Sequence, residues 1–408
     1  MMRVLLEDQS KAINKLSKFK VGALFMEPGT GKTATAYEFA KGIPDVDYIL
    51  WFAPYRTIHA PEYESSLPYE LEKCGGIWTK YDLVGIESIS NSSRIYLELH
   101  TKLSEAKKPL IIVDESLKIK NWEAKRTQRI ITLGKLAEYK MILNGTPISR
   151  NLLDVWSQLE FLSPKILKMS LGEFKQNYCE YTTVTKNVNG YKVKKEFITG
   201  FHNIDHLYSI ISHYVYECDL KLDVKKRYNS IRYTVGVEEK KEYEYWKEFF
   251  LKLETMMMYD NNIFIRMVQK LQHSYCKTQD KVDKLFDLFN KTHSQNQTII
   301  FCKYRDSAEL CRNSFPESLV LTYGKHTYGL NLQNRNVTVF FDKTWDYAQR
   351  LQAENRTYRN GQFEDCLFYD LDGNINLDNL IDSNIARKES MLEYFRRVGL
   401  REFKRTHR

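Results

Sequence analysis

One short stretch, Met26-Glu27-Pro28-Gly29-Thr30-Gly31-Lys32-Thr33, limits the folds open to this chain. It sits between an apolar run, Val21 to Met26, that reads as a buried strand, and Ala34 to Lys41, which reads as a helix. A strand, a glycine-rich turn, Gly-Lys-Thr and a helix are the arrangement that cradles a nucleotide phosphate tail. Gly29 and Gly31 let the backbone curl so that several N–H groups point at one anion. The helix start adds the positive end of its dipole. Lys32 supplies a mobile cation for the β- and γ-phosphates of ATP, and Thr33 a hydroxyl for Mg²⁺. The full pattern places a glycine five residues before Gly31, where this chain has Met26.

Other apolar runs end in polar residues in the same way. Tyr48 to Ala53 precedes Pro54-Tyr55-Arg56-Thr57, so Arg56 and Thr57 fall at the carboxyl end of a strand, where open α/β sheets bind ligands. An arginine, a threonine and backbone N–H groups at such a lip suit a phosphodiester backbone, and a solvated loop is the plainer alternative. Asp82 to Ile89 reads as a weak strand closed by Ser88 and Ser90. Leu110 to Val113 ends in Asp114-Glu115-Ser116. Two adjacent carboxylates at the end of a buried strand are costly without a cation, and nucleotide-bound Mg²⁺ would compensate them. Asp114 would then serve the metal shell, and Glu115 would orient or deprotonate the attacking water. Lys140 to Leu143 is a further strand, leading into Asn144-Gly145-Thr146-Pro147 and a helix from Leu152 to Leu162.

These segments, in order, resemble the motifs of a superfamily-two helicase: Gln9, Pro28 to Thr33, Ala53-Pro54, Val113 to Ser116 and Asn144 to Pro147. The string from Asp114 to Asn121, and Leu143 to Pro164 with Trp156 and Phe161-Leu162, narrow the resemblance to the Swi/Snf type. Gly329 to Leu332, Asp342 with Trp345, and Gln352 to Gln362 resemble the last motifs of that family. The resemblance implies an α/β, P-loop fold of two RecA-like lobes with parallel sheets. Helical protrusions and a β-hairpin would lie between them. Gln9 would read the adenine edge, for which an amide has both a donor and an acceptor. Pro28, Gly29, Thr30, Gly31, Lys32, Thr33, Gly329 and Gln352 would bind ATP. Arg356 and Arg359, three apart on an expected helix, would reach the γ-phosphate from the second lobe. Such a finger contributes about 10³ to 10⁵ in rate in related nucleotide hydrolases. Arg56, Thr57, Ser88, Lys303, Lys325, Thr327 and Trp345 would meet DNA. Leu117 stands where many relatives have His, and Asn144 where they have Ser or Thr.

The expected division is 1–164 for the first lobe, 165–285 for the protrusions and hairpin, 286–375 for the second lobe, and 376–408 for a bracing helix and basic tail. Within the middle segment, Asn189-Gly190 between alternating residues signals a hairpin, carrying Lys186, Lys192, Lys194 and Lys195. Phe174 to Cys179 resembles a segment of fork-remodelling relatives. Tyr243, Trp246, Phe249 and Phe250 share a helix face and read as core.

Composition fits this reading. Across 408 residues the net charge is +9, a modest excess that favours an anionic partner. Seven cysteines are scattered without a Cys-x-x-Cys pair, which points to reduced thiols rather than disulfides or metal. No apolar run is long enough to span a bilayer, and Met1-Met2-Arg3-Val4 does not open a secretory signal, so a cytoplasmic protein is expected. The combined expectation is a compact, monomeric, DNA-dependent ATPase that remodels duplex, forked or four-way-junction DNA. A phage-encoded enzyme in the host cytoplasm is expected, alongside other replication or recombination proteins. Three alternatives stay open: an RNA helicase, a motor that strips proteins from duplex DNA, and a DNA-binding module with a weakened ATPase site.

Overall fold

The computed structural model describes residues 5–60, 66–145, 152–188, 191–252, 261–323, 332–383 and 385–386. The first sheet contains β1 (Val21–Met26), β2 (Tyr48–Ala53), β3 (Lys80–Gly85), β4 (Pro109–Asp114), β5 (Tyr139–Asn144) and β8 (Val215–Cys218). Its order is β3-β2-β4-β5-β1-β8, and all its pairings are parallel. Among the described residues, the hairpin strands β6 (Cys179–Val188) and β7 (Tyr191–Phe201) pair only with each other, antiparallel. The second sheet contains β9 (Lys226–Tyr233), β10 (Thr298–Cys302), β11 (Leu319–Thr322), β12 (Val337–Phe340) and β13 (Cys366–Gly373). It is again parallel, in the order β11-β10-β12-β13-β9.

The continuous apolar runs follow from burial on both faces of each sheet. Along β4, Ile111 and Val113 join one apolar cluster while Leu110 and Ile112 join the cluster on the opposite face. In β10, Ile300 and Cys302 point one way and Ile299 and Phe301 the other. Parallel pairing brings every strand's carboxyl end to one edge. Asp114 therefore lies beside Leu143, and Phe25 beside Asn144.

Several expectations change on contact with the fold. The weak strand stops at Gly85, and Ser88 lies on the helix Ile86–Asn91. Ile86 and Ile89 are buried on that helix, so their spacing of three serves a helical face rather than a strand. The segment 165–285 contributes a strand to each sheet, β8 and β9, besides helices and the hairpin. On the helix Val237–Lys252, Tyr243 is buried against Tyr275, whereas Phe249 is exposed and stacks on Tyr245. The helix Tyr347–Glu354 follows the second sheet's β12, yet its Tyr347 and Leu351 join an apolar cluster of the first. Among the described residues, no helix is long and apolar enough to cross a membrane. Lys325, Thr327, Gly329, Asn189-Gly190, Thr146-Pro147 and residues 387–408 lie outside the described residues.

Candidate active site

The glycine loop connects β1 to the helix Lys32–Lys41. Gly29 and Gly31 have φ of 89° and 86°, left-handed conformations that a side chain disfavours. The loop closes on itself, with the Thr30 hydroxyl donating to the Glu27 carbonyl at 2.6 Å. Behind it lies Gln9, 3% exposed on the helix Glu7–Leu16. Its Nε2 donates to the Thr30 carbonyl at 3.1 Å, and its Oε1 accepts from the Leu6 N–H at 3.0 Å. A Cβ added to Gly31 would overlap the Gln9 amide nitrogen, so here the amide supports the loop's backbone.

Lys32 bends back, its Nζ donating to the Met26 carbonyl at 2.8 Å. Burial lowers its pKa, while Glu115, Asp114 and Glu27 raise it and Arg356 lowers it further. All four charged side chains thus act electrostatically on the lysine. Asp114, 9% exposed, has its carboxyl pushed up to about 7, first by burial and then by the neighbouring Glu115 carboxylate. Glu115 N–H donates to Asp114 Oδ1 at 2.9 Å, and Glu115 itself holds φ of 51°. An acidic pair whose charge Lys32 only partly offsets suits a divalent cation brought in with phosphate. Thr33, in the first turn of the helix Lys32–Lys41, is half-buried.

The arginine string arrives from the second sheet. Arg356 and Arg359 lie in the turns that follow the helix Tyr347–Glu354 rather than on that helix, which stops before Asn355. Gln352 occupies its last turn and is half-buried. The turn lies against the glycine loop. Asn360 Nδ2 donates to the Gly29 carbonyl at 2.7 Å, and a Cβ on Gly29 would stand 3.7 Å from Arg359 Cβ. Burial lowers the Arg359 pKa, partly opposed by Glu70 of the helix Leu67–Lys73. The helix before this turn is anchored by Arg350, whose guanidinium lies 3.5 Å from the Phe340 ring centroid and pairs with Glu354 and Asp370.

Glu27, Leu220 and Asn360 are contacts that the motif pattern did not single out. The Leu220 N–H donates to Glu27 Oε2 at 3.0 Å, fastening the segment after β8 to the loop. Glu27 and Asn360 both lie inside strings read for their other residues, so position was visible and role was not.

The residues read as DNA contacts form two groups. Exposed Arg56 and half-buried Thr57 lie on the short helix Tyr55–Ile58 after β2. Tyr55 N–H donates to Glu87 Oε2 at 2.9 Å, which ties that turn to the helix bearing Ser88. Lys303 follows β10, with its Nζ donating to Gln272 Oε1 at 2.5 Å. Burial lowers its pKa to about 8 despite Asp342. Trp345 is partly buried against the second sheet's apolar cluster.

A model of the SNF2-related domain matches residues 77–296. The chain is 23% identical over 321 residues to the ATP-dependent helicase brm of Drosophila melanogaster, covering 62% of this chain and 19% of that protein. It is 28% identical over 124 residues to the DNA repair and recombination protein RDH54 of Saccharomyces cerevisiae, covering 30% of this chain and 13% of that one. A solved Sulfolobus solfataricus SWI2/SNF2 ATPase core in complex with dsDNA aligns at TM-score 0.44 and 18% identity, over 99% of this chain and 96% of that chain. The chain spans less than a fifth of the length of these curated relatives. Because the domain match extends over more than half of the sequence, the chain belongs to the SNF2-related family of superfamily-two ATPase/helicase domains.

Proposed function

We propose that this chain is an ATP-driven DNA translocase whose nucleotide site lies between its two parallel sheets. The observation that carries the reading is the contact of the Arg359-Asn360 turn with the glycine loop, with Arg356 close enough to influence Lys32. In this reading Lys32 and the loop N–H groups grip the phosphates. Glu115 orients water, and Arg356 and Arg359 meet charge as it spreads over the γ-phosphoryl group. Thr33 and Asp114 would hold Mg²⁺, which neutralises β- and γ-phosphate charge when bound. Gly329 and Gln352 belong to the same expected nucleotide set.

Arg56, Thr57, Ser88, Lys303, Lys325, Thr327 and Trp345 would track one strand of a duplex. Phosphate contacts dominate such a set, so sequence preference is low. Opening and closing of the cleft would move one sheet unit relative to the other along DNA. Branched DNA is the proposed substrate, supported by the basic hairpin sequence, by Phe174 to Cys179 and by the likeness to a recombination protein. The units proposed are those of the sequence division at 164, 285 and 375, with β8 returning to the first sheet and β9 joining the second.

The test is ATP hydrolysis with single strands, duplexes, forks, four-way junctions and RNA in parallel. Stimulation by duplex or branched DNA, lost in Lys32→Ala and in Arg359→Ala, is expected. Stimulation by RNA alone would overturn the DNA assignment. Duplex-stimulated hydrolysis that left forks and junctions unmoved would overturn the branched-DNA assignment.

A further inference from the structure

A buried polar relay lies beside the acidic pair. Ser116, Asn144 and Gln158 are 0%, 1% and 0% exposed. The Ser116 hydroxyl donates to Gln158 Oε1 at 2.6 Å, and Asn144 Nδ2 donates to Ser116 Oγ at 3.3 Å. Gln158 Nε2 donates to the Asp154 carbonyl at 2.7 Å, which sets the amide's orientation. Val113, Ile119, Ile142, Val155 and Leu159, on the same strands, turn and helix, are buried in one apolar cluster, and Ser157 and Asp154 are the buried polar neighbours along the helix.

Stability alone does not account for this placement. A polar amide in such a core gains little over a well-packed apolar side chain of equal size, because its hydrogen bonds mainly offset its own desolvation. What the relay does supply is direction. Ser116 follows Glu115, whose left-handed backbone is unusual for a residue with a Cβ. The turn Ser116–Ile119 is fastened at both ends by successive residues of one helix, Leu153–Leu162. Gln158 holds Ser116, and the Ser157 hydroxyl donates to the Ile119 carbonyl at 2.5 Å. Asn144 ends β5, the strand between β4 and β1, so the relay also spans the sheet edge toward the glycine loop.

We propose that Gln158 is a positioning residue that, through Ser116, holds the Glu115 backbone and its carboxylate in the geometry for hydrolysis. This rests on the reading of Glu115 as the residue that orients water. Gln158 acts by fixing the peptide from which Glu115 projects and by linking that peptide to the end of β5. Asn144 is the link to β5, and its amide reaches Ser116 directly.

The test uses Gln158→Met, which keeps the volume and removes the hydrogen bonds, together with Ser116→Ala, Ser116→Thr and the double variant Ser116→Ala/Gln158→Met. DNA-stimulated kcat, KM for ATP and thermal stability are measured for each in the full chain. Gln158→Met is expected to lower kcat on the order of tenfold, since small displacements of a reacting group cost one to two decades. KM is expected to stay within about twofold, because the phosphate grip is untouched. The double variant should be no slower than the worse single one, as both remove the same link. Ser116→Thr, which restores a hydroxyl, should recover most of the kcat lost in Ser116→Ala. An unchanged kcat in a stably folded Gln158→Met would overturn the proposal. So would losses of kcat, ATP affinity and stability that move together, since that marks a structural role only. Glu115→Gln separates the two levels. If it leaves hydrolysis intact, the reading of Glu115 fails; if it abolishes hydrolysis while Gln158→Met does not slow it, only the positioning role fails.

Discussion

The Gly31→Ala substitution probes the support beneath the phosphate loop. Two costs act together. The residue holds φ of 86° and ψ of 35°, and a left-handed alanine costs about 1–2 kcal/mol. The new Cβ also overlaps Gln9 Nε2, so the buried amide must leave the Thr30 carbonyl it now serves. Losing a buried hydrogen bond in this way costs about 1–3 kcal/mol. The sum is roughly 2–5 kcal/mol of stability. The deformed loop should also raise KM for ATP by at least about tenfold, the equivalent of about 1.4 kcal/mol of phosphate binding. Gln9→Ala removes that hydrogen bond, and the one its Oε1 accepts from the Leu6 N–H, without backbone strain, for at least about 1–3 kcal/mol. In the double variant the overlap is gone and the hydrogen bond is lost only once. Its total should therefore fall short of the sum of the single variants by about 1 kcal/mol or more. Urea unfolding of the four proteins, with nucleotide titrations on each, measures this. Additive single and double effects would refute the argument that Gln9 and Gly31 share one space.

Two further outcomes follow from the second sheet. If Lys303 meets a DNA phosphate, the bound form keeps a proton that the free form loses near pH 8, so affinity falls as pH rises through that value. Lys303→Arg, whose guanidinium stays charged, should flatten the dependence between pH 7 and 9 in anisotropy titrations; equal slopes would remove Lys303 from the interface. Asp342, 3% exposed, pairs with Lys281 at 3.1 Å and accepts the Lys303 N–H at 3.0 Å. Asp342→Ala removes the carboxylate from the buried Lys281 ammonium, which keeps its 3.2 Å hydrogen bond to the Phe341 carbonyl, and should cost about 3–5 kcal/mol in urea unfolding, whereas a loss under about 1 kcal/mol would show that the carbonyl suffices.

The glycine loop, the strand runs and the acidic pair were legible because each is a local pattern. Positive φ at Gly29 and Gly31, both-face burial of β4 and the adjacency of Asp114 and Glu115 need no distant residue to be recognised. The Ile86–Asn91 segment is ambiguous in sequence because six residues with two buried isoleucines satisfy more than one periodicity. The charged spacing of three at Arg356 and Arg359 fits a helical face, yet these residues form a turn, and nothing local marks the stop at Glu354.

Tertiary structure alone decided the rest. The short β8 and exposed β9 carry little apolar signal, and each becomes a strand because a sheet edge offers unpaired backbone groups to it. Asn360 meets Gly29 across 331 residues, and Gln158 meets Ser116 across 42. Which amide reaches which carbonyl depends on how helices pack over a sheet, and packing is a property of many side chains at once. Local residue order makes phosphate chemistry available here; the assembled fold sets what holds the loop and the acidic pair in place.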